Sequence, residues 1–358
     1  MNRRNSLCML FAVAASAAAS PTASRAYFAH PDLTNQELAD WKRWKSAFLT
    51  DDGRVVDHLQ DDASHSEGQG YGMLLATWFG DEAGFRRMHD WTSRYLAVRA
   101  DPLLAWRWKP NQRPQISDYN NATDGDLFYA WALLRAAVQF NTPDYLAKAQ
   151  EIARFLAASC VRADPRGSGR LLLLPGAEGF AAGNDVIVNP SYYMPEAMRE
   201  LGLATGTPQL IKCADDGEAL LADLAATGPV PDWIEVGPSG FRPAPDHVAQ
   251  SGYDALRSAL FLIWSGRVDH PAVWRAGELY RTMTDPDTPM PTIFDLTGRT
   301  VLATSDLQGY KAVAMLVLCA VGADQHQPIP KFSSAQPYYP ATLHLFSQIA
   351  ARRAKLIC

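Results

Sequence analysis

What most narrows the fold of this chain is a long succession of helix-period segments with no low-complexity linker between them. In 124–140, apolar Leu127, Phe128, Trp131, Leu134 and Val138 recur at helical spacing. Similar patterns predict helices over 36–49, 67–79, 82–98, 144–159, 195–203, 208–226, 252–264, 271–283, 308–321 and 338–355. Strand signals are few, with short pieces over 170–174 and 186–188, and Gly/Pro-rich stretches such as 109–114 and 237–245 read as connections. So many helices without a break predict one large all-α assembly. Its 358 residues are long for one domain, but closed barrels reach this size as a single unit.

The N-terminus has the form of an export signal. Arg3 and Arg4 precede an apolar, small-residue run over 7–19, with cleavage expected after Ala23 or Ala26. The expectation is a leader over 1–26, a mature domain over 27–358, and a periplasmic or secreted location. No later stretch reaches the ~18 uninterrupted apolar residues of a membrane span, so no anchor is expected. The net charge of −5 excludes the electrostatic footprint of a nucleic-acid binder. Cys160, Cys213, Cys319 and Cys358 remain after the leader and lack C-x-x-C spacing, against a zinc site. Cys319 lies in an apolar run and reads as core, while an oxidising compartment permits a Cys160–Cys213 bridge.

Three predicted helix starts carry acidic residues. Ser66-Glu67-Gly68-Gln69 reads as a capping box, Thr123 as a cap before Asp124 and Asp126, and Ser251-Gly252-Tyr253-Asp254 as a third start. Acids in a first turn ordinarily serve the helix dipole. The neighbouring glycines argue for more. Gly68, Gly70 and Gly72 follow Glu67, each costing about 1 kcal/mol against Ala in a helix, which points to close approach of a backbone or ligand. Gly125 carries the same implication. Aromatic residues near loops and helix starts, among them Trp106, Trp108, Tyr192 and Tyr253, offer flat faces for stacking on sugars.

Taken in order, SEGQGYGM (66–73), ATDGD (122–126), NPSY (189–192) and GYDALR (252–257) resemble glycoside hydrolase family 8, across nearly the whole mature chain. Within it the likeness is to the periplasmic cellulases that accompany bacterial cellulose synthases. One departure is Tyr129, where the family signature has Ile or Met; its position should face the core.

The resemblance implies an (α/α)6 barrel with short β pieces in the loops, and inverting endo-hydrolysis of β-1,4-glucan. It implies Glu67 as proton donor, Asp254 as the base that activates water, and Asp124 binding the distorted sugar. It also implies Tyr192 at the nucleophilic water, Arg257 near the base, and Trp106 as stacking platform, a role Trp108 could take instead. No metal or cofactor is implied. The implied partners are the glucan itself and, functionally, a cellulose synthase complex. Inversion sets the two carboxyl groups about 6.5–9.5 Å apart. A helix N-terminus opposes the protonated form Glu67 needs, whereas burial and the charge of Asp124 favour it. Related xylanase, mixed-linkage glucanase or chitosanase activity, a polysaccharide lyase, and a non-catalytic glycan-binding protein are the alternatives.

Overall fold

The computed structural model describes residues 32–281, 288–323 and 328–358. The expected leader lies outside them. Eleven α-helices occupy the described residues: α1 Asn35–Phe48, α2 Ser66–Trp78, α3 Glu82–Tyr95, α4 Thr123–Gln139, α5 Pro143–Ser159, α6 Pro195–Thr205, α7 Pro208–Ala225, α8 Leu256–Trp264, α9 Pro271–Tyr280, α10 Gln308–Ala320 and α11 Tyr338–Arg353. None of the described helices is long and apolar enough to cross a membrane.

Burial sorts these helices into two sets. α2, α4, α6, α8, α10 and α11 are buried around most of their circumference, as helices enclosed by other helices must be. α1, α3, α5, α7 and α9 bury one stripe each; in α1 it is Trp41, Trp44 and Phe48. The sets alternate along the chain, giving an (α/α)6 barrel with inner helices starting at one end and outer helices returning to it. Between α10 and α11 the described part of the return, 328–337, is irregular instead of helical. Arg352 near the end of α11 pairs with Glu37 of α1 at 2.8 Å, closing the ring.

The strands are short and lie in the connections. β1 (Ser64–His65) pairs with β2 (Arg107–Trp108), and β3 (Val161–Ala163) with β4 (Leu171–Leu173). β5 (Ala181–Ala182), β6 (Asp185–Val188), β7 (Ile234–Gly237) and β8 (Gly240–Pro243) form an antiparallel sheet in that order. β9 (Met290–Phe294) pairs with β10 (Val301–Ser305). Two stretches expected as strands are β4 and β6. The stretch 237–245, expected as a connection, is largely hairpin: β7 and β8 pair Gly237 with Gly240, whose φ of +123° suits glycine.

Other expectations are corrected as well. The eighth helix begins at Leu256, not Gly252, because the N–H groups of Gly252 and Ala255 are taken by the Asp232 carboxylate, each at 2.8 Å, which holds 252–255 as a turn. Cys160 and Cys213 are not bridged; both are buried free thiols. Cys319 stands in the last turn of α10, where the apolar run reaches the surface, and bonds Cys358 with Cα atoms 5.8 Å apart. That bridge closes a loop with a sequence separation of 39, worth about 4 kcal/mol in the chain-entropy view. Tyr129 faces the core, only 1% exposed, stacked on His89.

Reduction should therefore lower the melting temperature by several degrees, and Cys319→Ser should match the reduced protein. Unreduced protein made without residues 1–26 should titrate two thiols with a chromogenic disulfide reagent in guanidinium, and none in the native state. Reactive native thiols would contradict the burial.

Candidate active site

The start of α2 sets Glu67. His65 caps this helix, its Nδ1 accepting the Gly68 N–H at 3.0 Å, so Ser66 is the first helical residue and not the cap. The expected capping box does not form. Gln69 points into the core instead, accepting from Val55 N at 2.6 Å and donating to Thr92 Oγ1 at 2.8 Å. Likewise Ala122, not Thr123, caps α4, without a side-chain bond.

The glycines explain how Glu67 and Asp124 come together. A Cβ on Gly125 would sit 2.1 Å from Ser66 Oγ and 2.7 Å from Glu67 N; one on Gly70 would meet the Tyr129 backbone N at 3.0 Å. The close approach anticipated from sequence is therefore that of a glycine on one helix to the facing helix. α2 and α4 touch at their first turns, which places their two acids side by side.

Arg257, in α8 and 1% exposed, joins the carboxylates. Its Nη1 donates to Glu67 Oε2, to Tyr71 Oη at 3.1 Å and to Asp124 Oδ2 at 3.2 Å; its Nη2 donates to Ser191 Oγ and Asp254 Oδ1, both at 2.8 Å. Glu67 and Asp254 thus bind opposite terminal nitrogens of one guanidinium, which keeps them apart by its width plus two hydrogen bonds. Sequence reasoning placed Arg257 beside the base; the structure places it against all three acids. Asp254 is the most open of them, its side chain 34% exposed against 18% for Glu67 and 3% for Asp124. Its Oδ2 accepts from Trp233 Nε1 at 3.1 Å and Asn189 Nδ2 at 3.2 Å. Burial pushes the Asp124 carboxyl up to about 7; Arg257 opposes the shift, and the charge of Glu67 adds to it.

Glu67, Asp124 and Asp254 line a cleft of about 260 Å³ with Trp106, Tyr192, Tyr253, Tyr338 and Tyr339. The loop holding Trp106 follows from Ser66 N donating to Trp106 O at 2.9 Å, while the indole Nε1 donates to Asp118 at 2.8 Å. Trp108 packs against Trp91 and Tyr95, away from the cleft, so of the two tryptophans Trp106 is the one on the site. Tyr192 lies 5.6 Å from the Arg257 guanidinium and edge-on to Trp233. Five of the six residues singled out from sequence line this cleft, and the sixth, Arg257, is buried behind it and bonded to its three acids. His65, Tyr71, Ser191 and Trp233 were missed as functional residues. The first three lie inside or next to the quoted motifs; Trp233 has no motif around it.

The family model for glycosyl hydrolases family 8 matches residues 4–353. The chain belongs to glycosyl hydrolases family 8. This family 8 chain is similar to a probable endoglucanase of Novacetimonas hansenii, 33% identical over 332 residues, covering 89% of this chain and 91% of that one. An endoglucanase of Escherichia coli K12 is 30% identical over 328 residues, covering 86% and 85%. Among solved structures, an endo-β-1,4-glucanase from Acetobacter xylinum superposes with a TM-score of 0.79 at 30% identity, covering 90% of this chain and 99% of that one.

The raised Asp124 carboxyl has a stability signature. The native state holds this proton up to about 7 while the unfolded chain releases it near the ordinary carboxylate value of 3.8. Between those limits the native state binds more protons, so the contribution of Asp124 to stability falls as pH rises. The melting temperature of Asp124→Asn relative to the unmodified family 8 chain should be more favourable at pH 8 than at pH 4. Calorimetry at the two pH values checks this; a difference independent of pH would contradict it.

Proposed function

We propose that this protein is an endo-β-1,4-glucanase that hydrolyses unbranched β-1,4-glucan with inversion at the anomeric carbon. The observation that carries the reading is the placement of Glu67 and Asp254 on opposite nitrogens of one buried guanidinium, at the floor of an aromatic cleft. Family membership and the likeness to named endoglucanases support the substrate class.

In this reading Glu67 donates a proton to the leaving oxygen and Asp254 takes one from the attacking water. The greater exposure of Asp254 suits a group that must meet water, and its hydrogen bonds from Arg257, Asn189 and Trp233 suit a carboxylate that must stay ionised. Asp124 binds the sugar at the cleavage point, Tyr192 holds the water, and Trp106 stacks on a neighbouring sugar. Trp106 and the Tyr253–Tyr310–Tyr339 cluster give the chain platforms on which to pass through the cleft. We further propose periplasmic action on newly made glucan during bacterial cellulose synthesis, supported by the leader-like N-terminus.

Glu67→Gln and Asp254→Asn should each lose at least ~10²-fold in turnover with native circular dichroism. A near-normal rate in either variant removes that residue from the chemistry. On equal loads of carboxymethylcellulose, xylan and chitosan, the cellulose derivative should be preferred. Its viscosity should fall ahead of reducing-end release, and proton NMR of early products should show the α-anomer first. A preference for xylan or chitosan overturns the substrate; an early β-anomer overturns inversion.

A further inference from the structure

Asp254 stands in the turn before α8, where its carbonyl accepts the Arg257 N–H at 3.1 Å while the N–H groups on either side of it bond outside the helix. Asp232, 5% exposed, accepts the backbone N–H groups of Gly252 and Ala255 on Oδ1, each at 2.8 Å, and Gln250 Nε2 on Oδ2 at 3.1 Å. Those two N–H groups bracket Asp254 by two residues on one side and one on the other. The next residue, Trp233, donates its indole N–H to Asp254 Oδ2 at 3.1 Å. The indole is itself held, near-parallel to Phe180 with ring centroids 6.2 Å apart and against His247 at 4.2 Å. Both residues directly precede β7, in the four-stranded sheet.

We propose that Asp232 and Trp233 are positioning residues that form a two-point clamp on the general base: Asp232 grips the backbone of its turn and Trp233 orients its carboxylate. The proposal rests on the reading of Asp254 as base. The clamp has a second, electrical effect, because its members act on the Asp254 carboxylate with opposite sign. The indole N–H stabilises the ionised form, whereas the Asp232 carboxylate repels it. Burial, with the same repulsion added, raises the Asp232 carboxyl above its ordinary range. The other charged or titratable groups facing Asp254 are Arg257 from α8, Asp124 from α4, Glu67 from α2, Tyr339 from α11, and Tyr192, and both substitutions below leave all of them in place.

The base must be ionised, so activity falls on the acid side as Asp254 takes up a proton. Trp233→Phe keeps the ring stack and deletes the donor; the acidic limb of kcat/KM should move to higher pH by about one unit. Asp232→Asn keeps an oxygen for the backbone N–H groups and deletes the charge; its acidic limb should move to lower pH. KM for a soluble cello-oligosaccharide should change by less than about twofold in both, with the loss in kcat. Substitutions that merely loosened the fold would not shift the limb in opposite directions. Each variant decides its own sign, so one that fails to fold leaves the other as the test. Asp254→Asn, run alongside, separates the two readings. If it is inactive and neither limb moves, or both move the same way, the clamp is wrong and the base stands. If it retains activity, the base assignment falls and the clamp with it.

Discussion

The site depends on one buried cation serving three carboxylates. Removing a charge from water costs several kcal/mol unless a partner compensates it. Arg257 supplies that compensation for Glu67, Asp124 and Asp254 simultaneously. Three acids outnumber one guanidinium, and the excess falls on the most buried of them: Asp124 keeps its proton up to about 7. With Asp124 protonated, two carboxylates rather than three share the guanidinium, and an ionisable acid remains at each end. Tyr71 and Ser191 accept further guanidinium N–H groups, so the arginine is held in place as well as neutralised.

That arrangement is possible because two inner helices touch with a glycine on one side of each contact. Gly125 lies against Ser66 and the Glu67 backbone, and Gly70 against the Tyr129 backbone. Any Cβ at Gly125 would drive the first turns of α2 and α4 apart, and the two acids with them. Glycine weakens each helix by about 1 kcal/mol relative to Ala. The contact it permits is what puts Glu67 and Asp124 on one arginine nitrogen.

Much of this was legible in the sequence, and the reasons for success and failure are physical. Helices such as α4 announce themselves because their apolar periodicity is local. The acids at 67 and 124 were legible because helix starts have recognisable chemistry, even though His65 and Ala122 took the capping positions assigned to Ser66 and Thr123. Strands such as β7 pair with segments remote in sequence, β6 among them, and few residues report on each. The Cys319–Cys358 bridge was hidden because Cys319 closes an apolar run, and only the end of α10 brings it to the surface beside Cys358. Trp233 was hidden for a related reason: its hydrogen bond to Asp254 exists only once the sheet has been laid beside the base turn. Asp232 moved the start of α8 in the same way, by competing for backbone N–H groups that a helix-start pattern cannot foresee.

Glu67 and Asp254, the proposed acid and base, are thus mounted on different materials. Glu67 belongs to a backbone contact between two helices of the inner wall, a joint with almost no slack. Asp254 belongs to a turn fastened to the residues that lead into an inner strand of a small sheet, whose strands are two to four residues long. Variation in the sheet or its hairpins would shift one jaw of the site and leave the other stationary. A lineage built on this frame could therefore refit the cleft to a differently shaped polymer by reworking the softer mount, with Glu67 and its helical joint untouched.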